Sequence, residues 1–230
     1  MCNSVIKNLK KCQLFDTIES KDLNSMITCM NPILTLYKKN EFVSIEGENL
    51  DKLGIIVTGS VAVTKENLVG DRVIISNLYQ GETLGEMVIF SDKKVWPATV
   101  MALEECEIMY IPPGTIVGQC EKSCISHRVL IQNMLKIISR KGLMLNKKVE
   151  YLVMKNLRSK ISRFLFDEYV NSGKPYFLIS MNRNELADFL NVSRPSLSRE
   201  MSKMRDEGII EFHRSSIKIN NIDALKKLIV

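Results

Sequence analysis

The sequence predicts an α+β chain in three parts: short N-terminal helices with a β-roll, one long helix, and a C-terminal winged helix-turn-helix. Three observations predict it. Short β-branched runs punctuated by glycine fill residues 33–111. Apolar residues spaced alternately by four and three follow, from about Cys124 to Leu152. Then NRNELADFLNVSRPSLSREMSKMRDEGII, residues 182–210, reads as two short helices joined by a tight turn. The expected domains are 1–123, 124–153 and 154–230.

With 230 residues there is room for one large or two modest domains, and a 45% apolar content suffices for ordinary cores. No apolar run is long enough to span a membrane. The start, MCNSVIKNLKKCQLF, has no apolar signal-peptide region, so the chain is expected in the cytoplasm, away from membranes. The six cysteines (Cys2, Cys12, Cys29, Cys106, Cys120, Cys124) read as reduced thiols in an unexported chain. The net charge of +6 is uneven. Residues 1–150 carry 18 Lys+Arg against 17 Asp+Glu, whereas residues 151–230 carry 14 against 9. The excess lies with the helix-turn-helix, as polyanion binding requires, although many non-binders share so mild a bias.

In chain order, LFDTIESKDLNSMITCM predicts a helix with Asp16 or Thr17 as cap, Leu23, Met26, Ile27 and Met30 on its apolar face, and Pro32 as its stop. The strand candidates are ILTLY, FVSI, LGIIVTGSVAVT, RVIISNL, ATVMAL and CEIMYI. No crossover helices separate them, which excludes a parallel α/β sheet and favours a sandwich or roll. Pro112-Pro113-Gly114 closes it. In the long helix, Ile131, Leu135, Ile138, Gly142, Leu145, Val149 and Leu152 form a heptad seam. Leu130, Met134, Ile137 and Met144 form a neighbouring stripe. One stripe can pack on the roll while the other meets a second copy; a monomer burying both is the alternative. Gly142 would let two helices approach closely. Asn156–Asn171 predicts a further helix, Tyr176–Ser180 a short strand, IIEF and IKIN a hairpin with Arg214 at its tip, and Ile222–Ile229 a closing helix.

Asn182 and Glu185 have capping-box spacing, Ser193 can cap the second helix, and Pro195 suits its first turn. Leu197, Met201 and Met204 make the buried stripe, which leaves Arg194, Ser196, Ser198, Arg199 and Lys203 on other faces. A second helix so arranged enters the DNA major groove, where Arg can bond guanine or grip phosphate. The bland alternative is a helical hairpin with a solvated charged face. The DNA-contact set is Ser193, Arg194, Ser196, Arg199, Lys203 and, in the wing, Arg214, for which a plain solvated turn is the alternative.

The LAxxLxxSRxSxSR pattern resembles the helix-turn-helix of the cyclic-AMP receptor/fumarate-nitrate regulator (CRP/FNR) family of bacterial transcription factors. The run EGENLDKLGIIVTGSVAV through GETLGEMVIF resembles that family's cyclic-nucleotide-binding β-roll, with glycines at Gly47, Gly59, Gly81 and Gly85. The resemblance covers roughly residues 10–225 and implies a homodimer on a palindromic double-stranded DNA operator, with RNA polymerase as a partner. By resemblance, Ser193, Arg194, Ser196 and Arg199 fall at DNA-contact positions. Pro195 stands where many members carry Glu, so the preferred half-site is expected to differ.

The phosphate cassette departs from the family pattern. Nucleotide binders follow a Gly-Glu pair, after a short helix, with Arg-Ser or Arg-Thr; the Glu holds the ribose and the Arg neutralises the phosphate. Gly85-Glu86 matches the first pair, but Trp96-Pro97 and then Ala98-Thr99 stand at the second, with Lys93 and Lys94 too early. A buried phosphate without a guanidinium lacks the bidentate pairing that offsets desolvation. Cyclic AMP is therefore not the expected effector. The candidate effector set is Gly85, Glu86, Trp96 and Pro97, with Gly142. Glu86 can equally belong to a retained turn, and Trp96 can equally be core packing rather than the wall of an apolar or aromatic ligand site.

Enzyme chemistry has no support: His127 and His213 are far apart, and no phosphate loop, nucleophile motif or zinc-type cysteine pair occurs. Some relatives hold an iron–sulfur cluster through clustered N-terminal cysteines, but Cys2, Cys12 and Cys29 are spaced too widely. Neither histidine fits a haem motif. Cys120 and Cys124, one helical turn apart, suit a metal or redox pair; idle thiols are the alternative. The expectation is a homodimeric DNA-binding regulator of unidentified cofactor, sensing a small molecule or redox state. The alternatives are an effector-independent activator and a sensor module acting through protein partners.

Overall fold

The computed structural model describes residues 3–66, 72–118 and 125–229, and divides into two compact units, Met1–Arg140 and Lys141–Val230. The first unit opens with helix α1 (Asn3–Leu9), a 3-10 turn (Gln13–Phe15) and helix α2 (Ser20–Met30). Leu23, Met26, Ile27 and Met30 line the buried face of α2, at the expected spacing. The expected cap was wrong. Glu19 precedes the helix without a side-chain bond, and Thr17 sits in the left-handed region at φ 64°. A short turn after the 3-10 segment thus moves the start several residues beyond Asp16.

Two antiparallel four-stranded sheets follow. The strands are β1 (Ile33–Tyr37), β2 (Phe42–Ser44), β3 (Leu53–Thr58), β4 (Ser60–Glu66), β5 (Arg72–Tyr79), β6 (Thr83–Leu84), β7 (Thr99–Ala102) and β8 (Cys106–Ile111). Their orders are β1-β8-β3-β6 and β2-β7-β4-β5. The run LGIIVTGSVAVT makes two strands, since Gly59 turns the chain at φ 79°. A Cβ there would meet Glu105 O at 2.5 Å. The period of two, with both faces covered, explains why β3 and β8 are apolar on both faces, Thr58 and Glu107 excepted. Leu53, Ile55, Val57, Met109 and Ile111 join the helical layer, while Ile56, Cys106 and Ile108 face the other sheet.

Pro112-Pro113-Gly114 does not merely close the roll. Pro113 starts the short helix α3 (Pro113–Val117), where its missing N–H costs nothing. The long helix α4 spans Ile125–Val153. Leu130, Met134 and Ile137 are buried in the first unit's core, as the neighbouring stripe predicts, but Met144 is exposed. Asn133 fixes the register of α4 by donating to Leu14 O (3.1 Å) and Asp16 O (2.8 Å).

The second unit holds the end of α4, helix α5 (Leu157–Ser172), strand β9 (Tyr176–Leu178), helices α6 (Arg183–Phe189) and α7 (Arg194–Asp206), strands β10 (Ile210–His213) and β11 (Ser216–Ile219), and helix α8 (Ile222–Lys227). Asn156 caps α5 by accepting from Arg158 N, and Gly173 ends it in the left-handed conformation. Tyr151 of α4 anchors this unit's core. Its ring stands edge-on to Phe164 and Phe189 at 6.2 and 5.4 Å, and its hydroxyl donates to Asp167 Oδ2 at 2.8 Å. One helix therefore supplies side chains to both cores.

Candidate nucleic-acid interface and effector cassette

The helix-turn-helix is built by local polar chemistry. Asn182 Oδ1 accepts from Asn184 N (2.9 Å) and Glu185 N (3.1 Å), while Asn182 N donates back to Glu185 Oε2 (2.8 Å). This capping box satisfies otherwise orphaned groups at the start of α6. Asn191, at φ 53°, turns the chain, and Val192 N donates to Ala187 O at 2.9 Å. Ser193 Oγ then accepts from Ser196 N and lies 2.8 Å from Ser196 Oγ. Leu197, Met201 and Met204 are fully buried.

Burying that stripe leaves Ser193, Arg194, Arg199 and Lys203 exposed and Ser196 half-exposed. Arg199 folds back, its Nε donating to Pro195 O at 3.3 Å, a weak tether that a base edge could replace. The wing hairpin pairs Ile210 with Ile219 and His213 with Ser216, and places exposed Arg214 at its tip at φ 53°.

A groove of about 340 Å³ lies between the start of α6, the start of α7 and the wing. Met181, Asn182, Arg183, Asn184, Arg194, Phe212, Arg214 and Ser215 line it: three arginines and no acid. It brings Arg194 and Arg214 together. It also adds Arg183 and Phe212, which sequence reasoning missed. The Arg183 guanidinium lies over the Phe212 ring at 4.9 Å, and Arg205 lies over the same ring at 5.6 Å. Burial pushes the Arg183 guanidinium pKa down. A further missed device holds α7 from behind. Arg158 of α5 bonds Glu200 through Nε and grips Glu207 through both terminal nitrogens, at 2.9 and 2.7 Å.

In the first unit, Gly85 adopts φ 84°, and its carbonyl accepts from Val88 N and Ile89 N, closing a single turn rather than a helix. A Cβ at Gly85 would meet Leu50 at 3.0 Å and the Trp96 ring at 3.4 Å. Glu86 is buried. Trp96 exchanges backbone bonds with Gly47 and Glu48, each 2.9 Å, and its half-buried ring packs on the cluster between the two sheets. Pro97 is exposed. Tyr37 and Tyr110 border the same cluster, their hydroxyls 2.8 Å apart. Gly142 lies in the other compact unit, on an open face of α4.

Of the seam residues, Ile131 and Ile138 are half-buried; Leu135 (59%), Leu145 (54%), Val149 (50%) and Leu152 (43%) are exposed, as is Gly142. Cys12 and Cys106 are buried and Cys29 is exposed, while Cys2, Cys120 and Cys124 lie outside the described residues. Among the described residues no three His, Cys, Asp or Glu side chains are placed to hold a metal together. None of the described helices is long and apolar enough to cross a membrane.

Two family models match the chain: the cyclic nucleotide-binding domain over residues 34–123 and the Crp-like helix-turn-helix domain over residues 159–228. A sensor domain of that type implies a small-molecule effector site. The chain is 25% identical over 185 residues to the cAMP-activated global transcriptional regulator CRP of Salmonella typhimurium, covering 76% of this chain and 83% of the relative. It is 20% identical over 194 residues to the cyclic AMP receptor protein of Thermus thermophilus, covering 84% and 86%. Among solved structures, the Thermus thermophilus catabolite activator protein superposes with TM-score 0.53 at 18% identity, over 94% of this chain and 98% of that one. A CooA variant from Carboxydothermus hydrogenoformans gives 0.59 at 16%, over 88% and 90%. The protein therefore joins a cyclic nucleotide-binding domain to a helix-turn-helix DNA-binding domain. It belongs with the CRP-family transcriptional regulators, to which it is homologous.

Proposed function

We propose that the chain acts as a homodimeric, sequence-specific DNA-binding regulator, controlled by an effector other than cyclic AMP. The groove carries the DNA-binding half of this reading: three arginines converge beside the exposed start of α7 with no acid among the lining residues. Ser193, Arg194, Ser196, Arg199, Lys203 and Arg214 are its proposed contacts. The exposed seam carries the dimer. A heptad-spaced apolar face from Leu135 to Leu152 is what a second copy of the same helix covers. A two-fold dimer presents two α7 helices to half-sites about one helical turn apart. RNA polymerase is the partner expected for a regulator of this family. The domains proposed are the sensor roll 1–123, the dimer helix 124–153 and the winged helix 154–230.

The experiment is selection of bound duplexes from a random pool, then footprinting and sedimentation. Enrichment of a palindrome by a dimer is expected, with Leu145→Lys shifting the protein to monomer and abolishing protection. No enriched sequence, or a Leu145→Lys dimer, would defeat the reading.

Against cyclic AMP stands the arrangement at the cassette. No arginine occurs between Arg72 and Arg128, and the Trp96 ring lies against Gly85. Titration with cyclic AMP should leave Trp96 fluorescence and the melting temperature unchanged; saturable micromolar binding would overturn this.

A further inference from the structure

Arg183 is an unusual arginine. It is half-buried, and its Nη2 is sealed from solvent with no hydrogen-bond partner among the described residues. No carboxylate pairs with it among the described residues. Arg205, by contrast, bonds its neighbour Asp206 at 3.0 Å. What faces the Arg183 guanidinium is the ring of Phe212, at 4.9 Å. An aromatic face can hold a guanidinium in place without neutralising it. A carboxylate in that position would cancel the charge the groove presents. The remaining lining adds Arg194 and Arg214, so the groove concentrates positive charge around one ring.

We infer that Phe212 is a positioning residue for DNA binding. Its ring holds Arg183 at the floor of the groove between α6 and the wing, so that Arg183, Arg194 and Arg214 together receive one backbone phosphate. Phe212 touches no DNA in this scheme; it acts through Arg183. The inference rests on the DNA-binding reading above and deepens it.

The test measures affinity for the selected duplex by fluorescence anisotropy between 50 and 200 mM salt, with thermal melting alongside. Phe212→Leu keeps an apolar side chain but removes the ring, and should weaken binding by about three- to tenfold. The phosphate then loses one of its three cations, so the slope of log affinity against log salt should flatten, by at most about 0.9. Phe212→Tyr should retain both affinity and slope. Arg183→Ala should match Phe212→Leu, and the double variant should be no weaker than either single one. The inference is overturned if Phe212→Leu keeps the wild-type slope, whether or not it melts earlier, or if the effects of the two single variants add. A wild type that binds while these variants are neutral removes only this inference. A wild type that selects no duplex removes the DNA-binding reading as well.

Discussion

The Gly85-Glu86 turn of the roll and the start of the recognition helix both carry family signals, yet the two regions use their side chains in opposite ways. At the helix-turn-helix, every capping group is satisfied internally, and the charged side chains are left facing outward: Arg194, Arg199 and Arg214 are all exposed. At the cassette, Gly85 keeps its left-handed turn, but the space beside it meets Leu50 and the Trp96 ring. One region keeps its polar groups available to a ligand, while the other covers its turn with the chain's own apolar atoms. A retained backbone motif thus says less about ligand than the side chains placed around it.

Trp96→Ala should break this comparison most forcefully if it is wrong. Removing a half-buried indole from the inter-sheet cluster should cost about 2–4 kcal/mol of stability. Thermal unfolding reads the change, and operator affinity measured well below the transition should stay within about twofold. Unchanged stability would mean that Trp96 is only a loose cover; weakened affinity would mean that the cassette already sets the DNA-binding state. Arg199→Ala should do the converse. Its bond to Pro195 O is a long tether, so stability should hardly move. Operator affinity should fall by about 1–3 kcal/mol if Arg199 makes a bidentate base contact. Anisotropy titration at fixed salt decides, and wild-type affinity would remove Arg199 from the contact set.

Much of the fold was legible because its signals are local. The capping box at Asn182, the cap at Ser193 and the stripe Leu197–Met201–Met204 each depend on residues a turn or so apart. The β-branched runs marked seven of the eight roll strands; β6, only Thr83–Leu84, was too short to show a period. The start of α2 was misplaced because the Thr17 turn has no strong sequence sign. The arginine groove was only partly legible. Arg194 and Arg214 stood out as exposed basic residues, but Arg183 and Phe212 lie 29 residues apart and meet only once the wing folds back. No periodicity reports such a pairing. Nor does spacing reveal the Arg158 clamp, whose partners are 42 and 49 residues away.

That clamp makes the subtlest prediction of the comparison, since it holds α7 from the α5 side rather than from the groove. The Glu200 and Arg158 side chains are 18% and 23% exposed. Arg158→Ala should therefore leave a half-buried carboxylate without its donor, at a cost of about 1–3 kcal/mol. The Glu207 carboxyl is held below its ordinary 4.5, chiefly by the Arg158 hydrogen bonds. A depressed carboxylate adds stability above its unfolded-state pKa and loses it as pH falls through the folded value. The gap between wild type and Arg158→Ala should thus be full at pH 7 and narrow below about pH 4.5. Chemical denaturation at pH 7 and pH 4 measures it. A gap that is the same at both values would show that Arg158 acts by packing its stem rather than by charge. In that case the recognition helix would owe its orientation to the apolar stripe alone.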